Sequence, residues 1–369
     1  MKYFEYGDPK VSALDICVTV ASMIIGVGVL NLPRELAKVT KSSDGWISIL
    51  IAGLLAMIAA FLLAKIAVHF SKQGYFAYTA AAVTKPVAYV ITLLLSFYFL
   101  SYCSYEIRAI ANISKQYLFE RTPVEVIALG FFLVVIYAVS GSRAGIIRLN
   151  LLTIPFIFGI TFVVLSFSLT KLSVVDLKPC FISSITELAS GVKASIFSLL
   201  GFEVVLLYIT MMHKPQLAPK AAAIGVALPI IMSLAIYIVC VGVFSEFALQ
   251  EVSNPAVELA KEMQIPGEFF ERFESIFFTI WIVTVYTTTI MAFDCCIYTL
   301  RSMFKKIKHM PAIYMLSPII FWLSMFPRDV NSFAKMGDYI SYLGVGIAVI
   351  TPMIIYLFAK IRGVKSDAL

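Results

Sequence analysis

Residues 14–36 read LDICVTVASMIIGVGVLNLPREL. The stretch has the length and apolarity of a membrane-crossing helix, yet Gly26-Val27-Gly28 interrupts its centre and Pro33 follows near its end. Glycine leaves the helical basin more readily than other residues, and an opened turn uncovers backbone N–H and C=O groups. In hydrocarbon such groups are costly unless they face protein or a wet cavity. A second interruption, Gly201-Phe202-Glu203, lies in the sixth apolar run, 175 residues further on. Two interrupted spans at matching positions of two halves point to a binding site of the transporter type.

The remaining sequence supplies the setting. With 60% hydrophobic and 14% charged residues among 369, and a mean hydropathy of +0.93, the chain is excluded from the ordinary soluble proteins. Ten apolar runs of spanning length are expected at 14–36, 46–70, 87–110, 124–141, 150–170, 190–212, 221–245, 272–298, 311–327 and 339–360. The fold class expected is an all-α membrane protein with about ten transmembrane helices, forming one polytopic domain over 1–369. Five runs per half force opposite orientations, hence a 5+5 inverted repeat with helices 1 and 6 broken, one repeat over 14–170 and the other over 190–360. The first run lacks the basic flank and small-residue cleavage site of a signal peptide.

Lys and Arg are denser in the segments that lie inside when both termini are cytoplasmic, including Lys2, Lys10, Lys305, Lys306, Lys308 and Lys365. The formal charge of +7 therefore reads as topology and contact with anionic lipid, with no nucleic-acid partner. Cys17, Cys103, Cys240, Cys295 and Cys296 fall within spans, where they act as small hydrophobes, and Cys180 lies outside. His69, His213 and His309 sit at the inner ends of runs, which leaves no histidine for a mid-membrane proton relay. Short interfacial helices are expected at 73–83 and 255–263, the second capped by Asn254 ahead of Pro255.

The breaks define the candidate ligand-binding residues. Gly26, Val27, Gly28 and Val29 open a half-helix whose N–H groups and dipole favour a carboxylate, while carbonyls from Met23 to Ile25 suit an ammonium or a sodium ion. A free amino acid carries both groups. Close helix packing through small residues is the plainer alternative. At the second break Leu200 and Phe202 wall a side-chain pocket beside Gly201. Glu203 is a mid-membrane carboxylate that latches onto the broken first helix, carries a proton or binds an amine; the latch is the favoured role. Tyr98 and Tyr102 share one face of the third run and either line a wet path or pack in the core. Glu106 and Arg108, further along that run, are expected to form a mutual or cross-helix ion pair. Thr284, Thr287, Thr288 and Thr289 form a hydroxyl cluster in the eighth run, opposite the first break or bonded back to their own helix. Lys193 and Asp294 need partners that the sequence does not name. No catalytic constellation, metal spacing or cofactor motif is apparent, so no enzyme is expected.

At these residues the chain resembles the B subunits of bacterial spore nutrient-germinant receptors, membrane proteins similar to amino acid–polyamine–cation transporters. The resemblance runs through 26–34 (GVGVLNLPR), Asp44-Gly45-Trp46, Glu120-Arg121-Thr122-Pro123 and Lys178-Pro179. It continues through Gly201-Phe202-Glu203, Glu271-Arg272-Phe273-Glu274-Ser275 and Phe326-Pro327-Arg328-Asp329. It implies a LeuT-like ten-helix fold, the spore inner membrane, partner A and lipoprotein C subunits, and recognition of an amino acid or similar germinant. A small neutral amino acid bound at helices 1 and 6 is the leading expectation. A proton- or sodium-coupled amino-acid transporter and an ion or water conduit are the alternatives.

Overall fold

The computed structural model describes residues 11–262 and 273–364. The described residues are helical apart from turns and one isolated parallel bridge between Val11 and Met212. In chain order the helices are α1 (Ala13–Ile24), α2 (Val27–Ala37), α3 (Gly45–Val68), α4 (Tyr75–Ala82), α5 (Lys85–Tyr117), α6 (Val124–Val139), α7 (Arg143–Ser168) and α8 (Ile185–Leu199). There follow α9 (Val205–Tyr208), α10 (Ala218–Glu251), α11 (Pro255–Lys261), α12 (Phe273–Met303), α13 (His309–Ser324), α14 (Val330–Leu343) and α15 (Thr351–Ile361).

Six stretches are long and apolar enough to cross a bilayer, and two bent pairs, α1 with α2 (52°) and 185–199 with 202–211 (45°), each read as one broken span. The shorter apolar helices α6 and α13 bring the set to ten, in the order expected from hydropathy. Boundaries moved where turn chemistry overrides apolarity. The fifth span starts at Arg143, because Ser142 caps it by accepting from the Gly145 N–H. The tenth starts at Val330, where Asp329 and Ser332 form a reciprocal capping box, and continues through a π-helical stretch, Gly344–Ile350, into α15. The interfacial helices are present as α4 and α11. Asn254 occupies the N-cap of α11, but its side chain donates to Gln116 Oε1 at 3.2 Å and caps nothing. Lys2, Lys10, Met263, Glu271, Arg272 and Lys365 lie outside the described residues.

Leu54, Ile58, Leu93, Phe97, Phe156 and Ile231 are exposed around the bundle, as suits a surface solvated by lipid. Inside, Trp281, Tyr98, Tyr208, Tyr237 and Phe99 are fully buried. Among the described residues thirty-one polar or charged ones are buried as well, Glu106, Glu203 and Asp294 included, so the interior is not merely packed hydrocarbon. On the near face, where α1 begins, the Val11 N–H donates to the Met211 carbonyl and the His213 N–H to the Val11 carbonyl, both at 3.0 Å. That bridge ties the start of the first broken span to the end of the second. On the far face Asp44, wholly buried, accepts from the N–H groups of Phe181, Ile182 and Ser183 at 2.6, 2.7 and 2.8 Å.

Candidate ligand site at the paired helix breaks

The first break lies at Ile25 (φ −78°, ψ 81°) and Gly26 (φ −120°, ψ −155°). Neither backbone demands glycine. The reason for Gly26 is space: a Cβ there would meet Glu106 Oε1 at 3.0 Å. Glu106, reaching across from α5, accepts from the Val27 N–H at 3.4 Å and so stands at the N-terminus of α2. This corrects the expected Glu106–Arg108 pair, since Arg108 Nη1 lies 3.5 Å from Met325 Sδ instead. The two residues sit about 200° apart around α5 and cannot serve the same neighbour. Gly28 is likewise a point of close approach. A Cβ there would come within 3.0 Å of Ser198 Cα, and the Ser198 hydroxyl donates to the Gly28 carbonyl at 3.0 Å.

The second break is built differently. Leu200 is extended (φ −70°, ψ 154°) and Gly201 has φ +131°, where a side chain is strained. A Cβ on Gly201 would also meet Met23 C and O at 3.0 Å, so the two breaks lie against each other. Glu203 folds back on its own turn: Oε2 accepts from the Gly201 N–H at 2.8 Å, and Oε1 accepts from the Tyr98 hydroxyl at 2.5 Å. The expected latch onto the first broken helix is therefore replaced by a latch onto its own break and α5, one of the two donors lying only two residues away.

In α12 the threonines divide. Thr284 donates to Ile280, Thr287 to Thr284 and Thr289 to Val285, all carbonyls of their own helix. Thr288 also reaches across, donating to the Ser22 and Ile25 carbonyls of the first break at 2.9 and 3.2 Å. Of the remaining expected site residues, Ile25, Val27, Val29, Tyr102 and Phe202 are buried, and Gly28 is partly exposed. Leu200 packs towards Gly344 in the π-helical stretch, where a Cβ would meet its Cδ1 at 2.7 Å. Glu106, Ser198 and Ser22 are the residues that sequence reading left out of the site. The signal for Glu106 was present: it follows Tyr98 and Tyr102 at two successive four-residue steps on one helix face.

Polar capacity remains at the breaks. Glu106 Oε1 and Ser22 Oγ are buried without a hydrogen-bond partner. Lys193 Nζ stands 5.6 Å over the Tyr342 ring, and Asp294 is paired with Arg143, which resolves both open partners. Among the described residues no cluster of three or more His, Cys, Asp or Glu side chains is suited to a metal ion.

Ten apolar spans among the described residues, two of them broken where they meet, with polar groups turned onto the breaks, define a polytopic membrane protein of transporter architecture. The solved structure of Mhp1, a nucleobase-cation-symport-1 family transporter in a closed conformation with bromovinylhydantoin bound, superposes with a TM-score of 0.64 over 99% of this chain and 96% of that one, at 11% identity. The family profile described as spore germination protein matches residues 10–333. Spore germination protein GerLB of Bacillus cereus is 39% identical over 98% of this chain and 97% of its own length. YndE of Bacillus subtilis (strain 168) is 28% identical over 96% and 97%. The chain belongs to the spore germination protein family, as the resemblance read from its motifs implies.

Proposed function

We propose that the chain is the B-type, ligand-sensing subunit of a nutrient-germinant receptor, and that the paired breaks hold a small neutral amino acid. The observation that carries the reading is the meeting of the breaks, Gly201 against the Met23 backbone, beside the unpartnered Glu106 Oε1 and Ser22 Oγ. The amino acid's carboxylate faces the N–H groups at Gly28 and Val29, where the half-helix dipole favours an anion. Its ammonium group takes Glu106 Oε1 and the carbonyls of the first break, and its side chain points to Phe202 and Leu200. Two opposed five-helix repeats, 14–170 and 190–360, frame the site. The near face is cytoplasmic, the membrane is that of the spore interior, and A and C subunits receive the signal. Differential affinity for one arrangement of the broken helices is what allows a bound amino acid to shift the equilibrium.

The test is twofold. Purified protein screened by thermal shift against single amino acids should respond to at least one, and Glu106→Gln, which removes the charge facing the ammonium group, should abolish that shift while leaving the unliganded melting temperature within a few degrees. Spores lacking the subunit should lose the response to the same amino acid. Unchanged germination in every nutrient combination would rule the receptor reading out.

One observation favours a cation-coupled transporter as the second reading. The Thr288 hydroxyl beside the Ser22 and Ile25 carbonyls is an all-oxygen donor set of the kind a hard cation takes. Uptake of the responding amino acid into proteoliposomes under an imposed sodium or proton gradient separates the two readings.

A further inference from the structure

The linker from α7 to α8, residues 172–184, presents its apolar side chains outward. Val175 is 79% exposed, Phe181 75% and Ile185, the first residue of α8, 86%, with Val174 and Ile182 exposed beside them. Phe181 also holds φ +63°, a left-handed conformation that a bulky residue adopts only when its surroundings impose it. The imposing group is Asp44, whose carboxylate takes the Phe181, Ile182 and Ser183 N–H groups. The next amide, that of Ser184, donates to Glu187 Oε2 at 2.7 Å. Further back, the Ser173 N–H donates to the Gly242 carbonyl at 2.8 Å and the Ser43 hydroxyl to the Leu177 carbonyl at 2.9 Å. The backbone is tied down while the apolar side chains are turned out.

That combination is the reverse of an ordinary surface loop, whose amides are left to water and whose side chains are polar. Water is a poor solvent for the exposed side chains, and hydrocarbon a poor one for bare amides. Four consecutive amides met from within, beneath an apolar face, suit the boundary between acyl chains and headgroups. The depth agrees. Asp44 occupies the N-cap of α3, so the linker lies level with the far end of that span. Trp46, in the first turn of α3, meets Phe181 edge-on with ring centroids 6.1 Å apart, an aromatic pair of the kind found at membrane interfaces. The face is also continuous with one already given to lipid, since Phe162 and Leu169 are exposed on the approach to the linker. Asp176 and Lys178 are the only charges among residues 172–184, and a lysine stem is long enough to carry its charge up to a headgroup phosphate.

We propose that this linker is an interfacial anchor: Val175, Phe181, Ile182 and Ile185 insert into the far leaflet, and the partner of this face is the phospholipid surface. What it anchors follows from the chain. Ser184 caps α8, the first half of the second broken span, and Asp44 heads α3. Insertion of the linker fixes the height of both in the bilayer, so the far half of the second broken span takes its position from lipid as well as from its neighbours. The inference is independent of what the breaks bind.

Cys180, exposed within the linker, is the native reporter, and Cys17, Cys103, Cys240, Cys295 and Cys296 are buried. The full-length protein carries a nitroxide on Cys180 and is reconstituted in phosphatidylcholine–phosphatidylglycerol vesicles. EPR then reads its collisions with oxygen, which concentrates in lipid, and with a water-soluble nickel chelate. Cys180→Ser, taken through the same labelling, measures the background from the buried thiols. Oxygen collisions should exceed those with nickel. Phe181→Asn keeps a residue suited to the left-handed backbone but removes the ring, and should raise the nickel collision rate about threefold. Should the label disturb the linker, Phe181→Trp gives a second measurement: its added fluorescence should be quenched more by brominated acyl chains than by aqueous iodide. Nickel collisions matching or exceeding those of oxygen, an unchanged nickel rate in Phe181→Asn, or quenching dominated by iodide would each overturn the anchor and leave this face to water or to a protein partner. None of these results touches the germinant reading, which is judged by amino-acid binding.

Discussion

The two breaks differ in who holds them. The second is largely self-supporting: Gly201 needs its positive φ, and Glu203, two residues on, answers the Gly201 N–H. The first is held from outside, its N–H side by Glu106 of α5 and its carbonyl side by Thr288 of α12. α5 bonds to both, through Glu106 at one and Tyr98 at the other. A break held by its neighbours can be reset by moving them, whereas one held by its own turn is a fixed shape. The first break is thus the adjustable half of the site and the second its template.

The sharpest way to break this contrast is to put a methyl group on each glycine. Gly201→Ala combines a strained φ with a clash against the Met23 backbone and should cost on the order of 3–5 kcal/mol, read as lost accumulation or a collapsed melting temperature in detergent. Gly26→Ala meets only the end of a flexible carboxylate and should cost about 1 kcal/mol. Equal effects would erase the distinction.

Truncating the two acids comes next. Glu203→Ala leaves the Tyr98 hydroxyl and the Gly201 N–H unanswered, about 2–4 kcal/mol. Glu106→Ala leaves one long hydrogen bond unmade, about 1–2 kcal/mol, but should change the amino-acid response more than Glu203→Gln does. Thermal unfolding alongside amino-acid titration checks both halves of the statement. The smallest effects should fall in α12. Thr288→Val, which uncovers two carbonyls of the first break, should cost about 1 kcal/mol, against about 0.5 kcal/mol or less for Thr284→Val, whose hydroxyl serves its own helix.

Most of the architecture could be read from hydropathy, because spanning length and the demand for satisfied backbone leave few other folds in lipid. The breaks could be read because Gly26 with Gly28, and Gly201 beside the carboxylate of Glu203, are conspicuous inside apolar runs. What could not be read was which neighbour satisfies which break. Glu106 looked like a partner for Arg108 because they are close in sequence, yet helical rotation sends them to different helices. Of the roles open to Glu203, the favoured latch onto the first broken helix gives way to bonds with Gly201 and Tyr98, because a mid-membrane carboxylate takes donors wherever its own turn supplies them. Of four neighbouring threonines only Thr288 reaches the first break, a choice fixed by the rotation of α12 and invisible in composition. Ser142 and Asp329 were legible as caps, but the apolar runs beside them drew attention away from the true starts of their helices.

The clamp at Asp44 has its own consequence. One carboxylate gripping three consecutive main-chain amides rivets the stretch between α7 and α8 to the head of α3. Anything that rocks the bundle must carry linker and α3 together as one lever, with its play transmitted to the opposite side of the membrane.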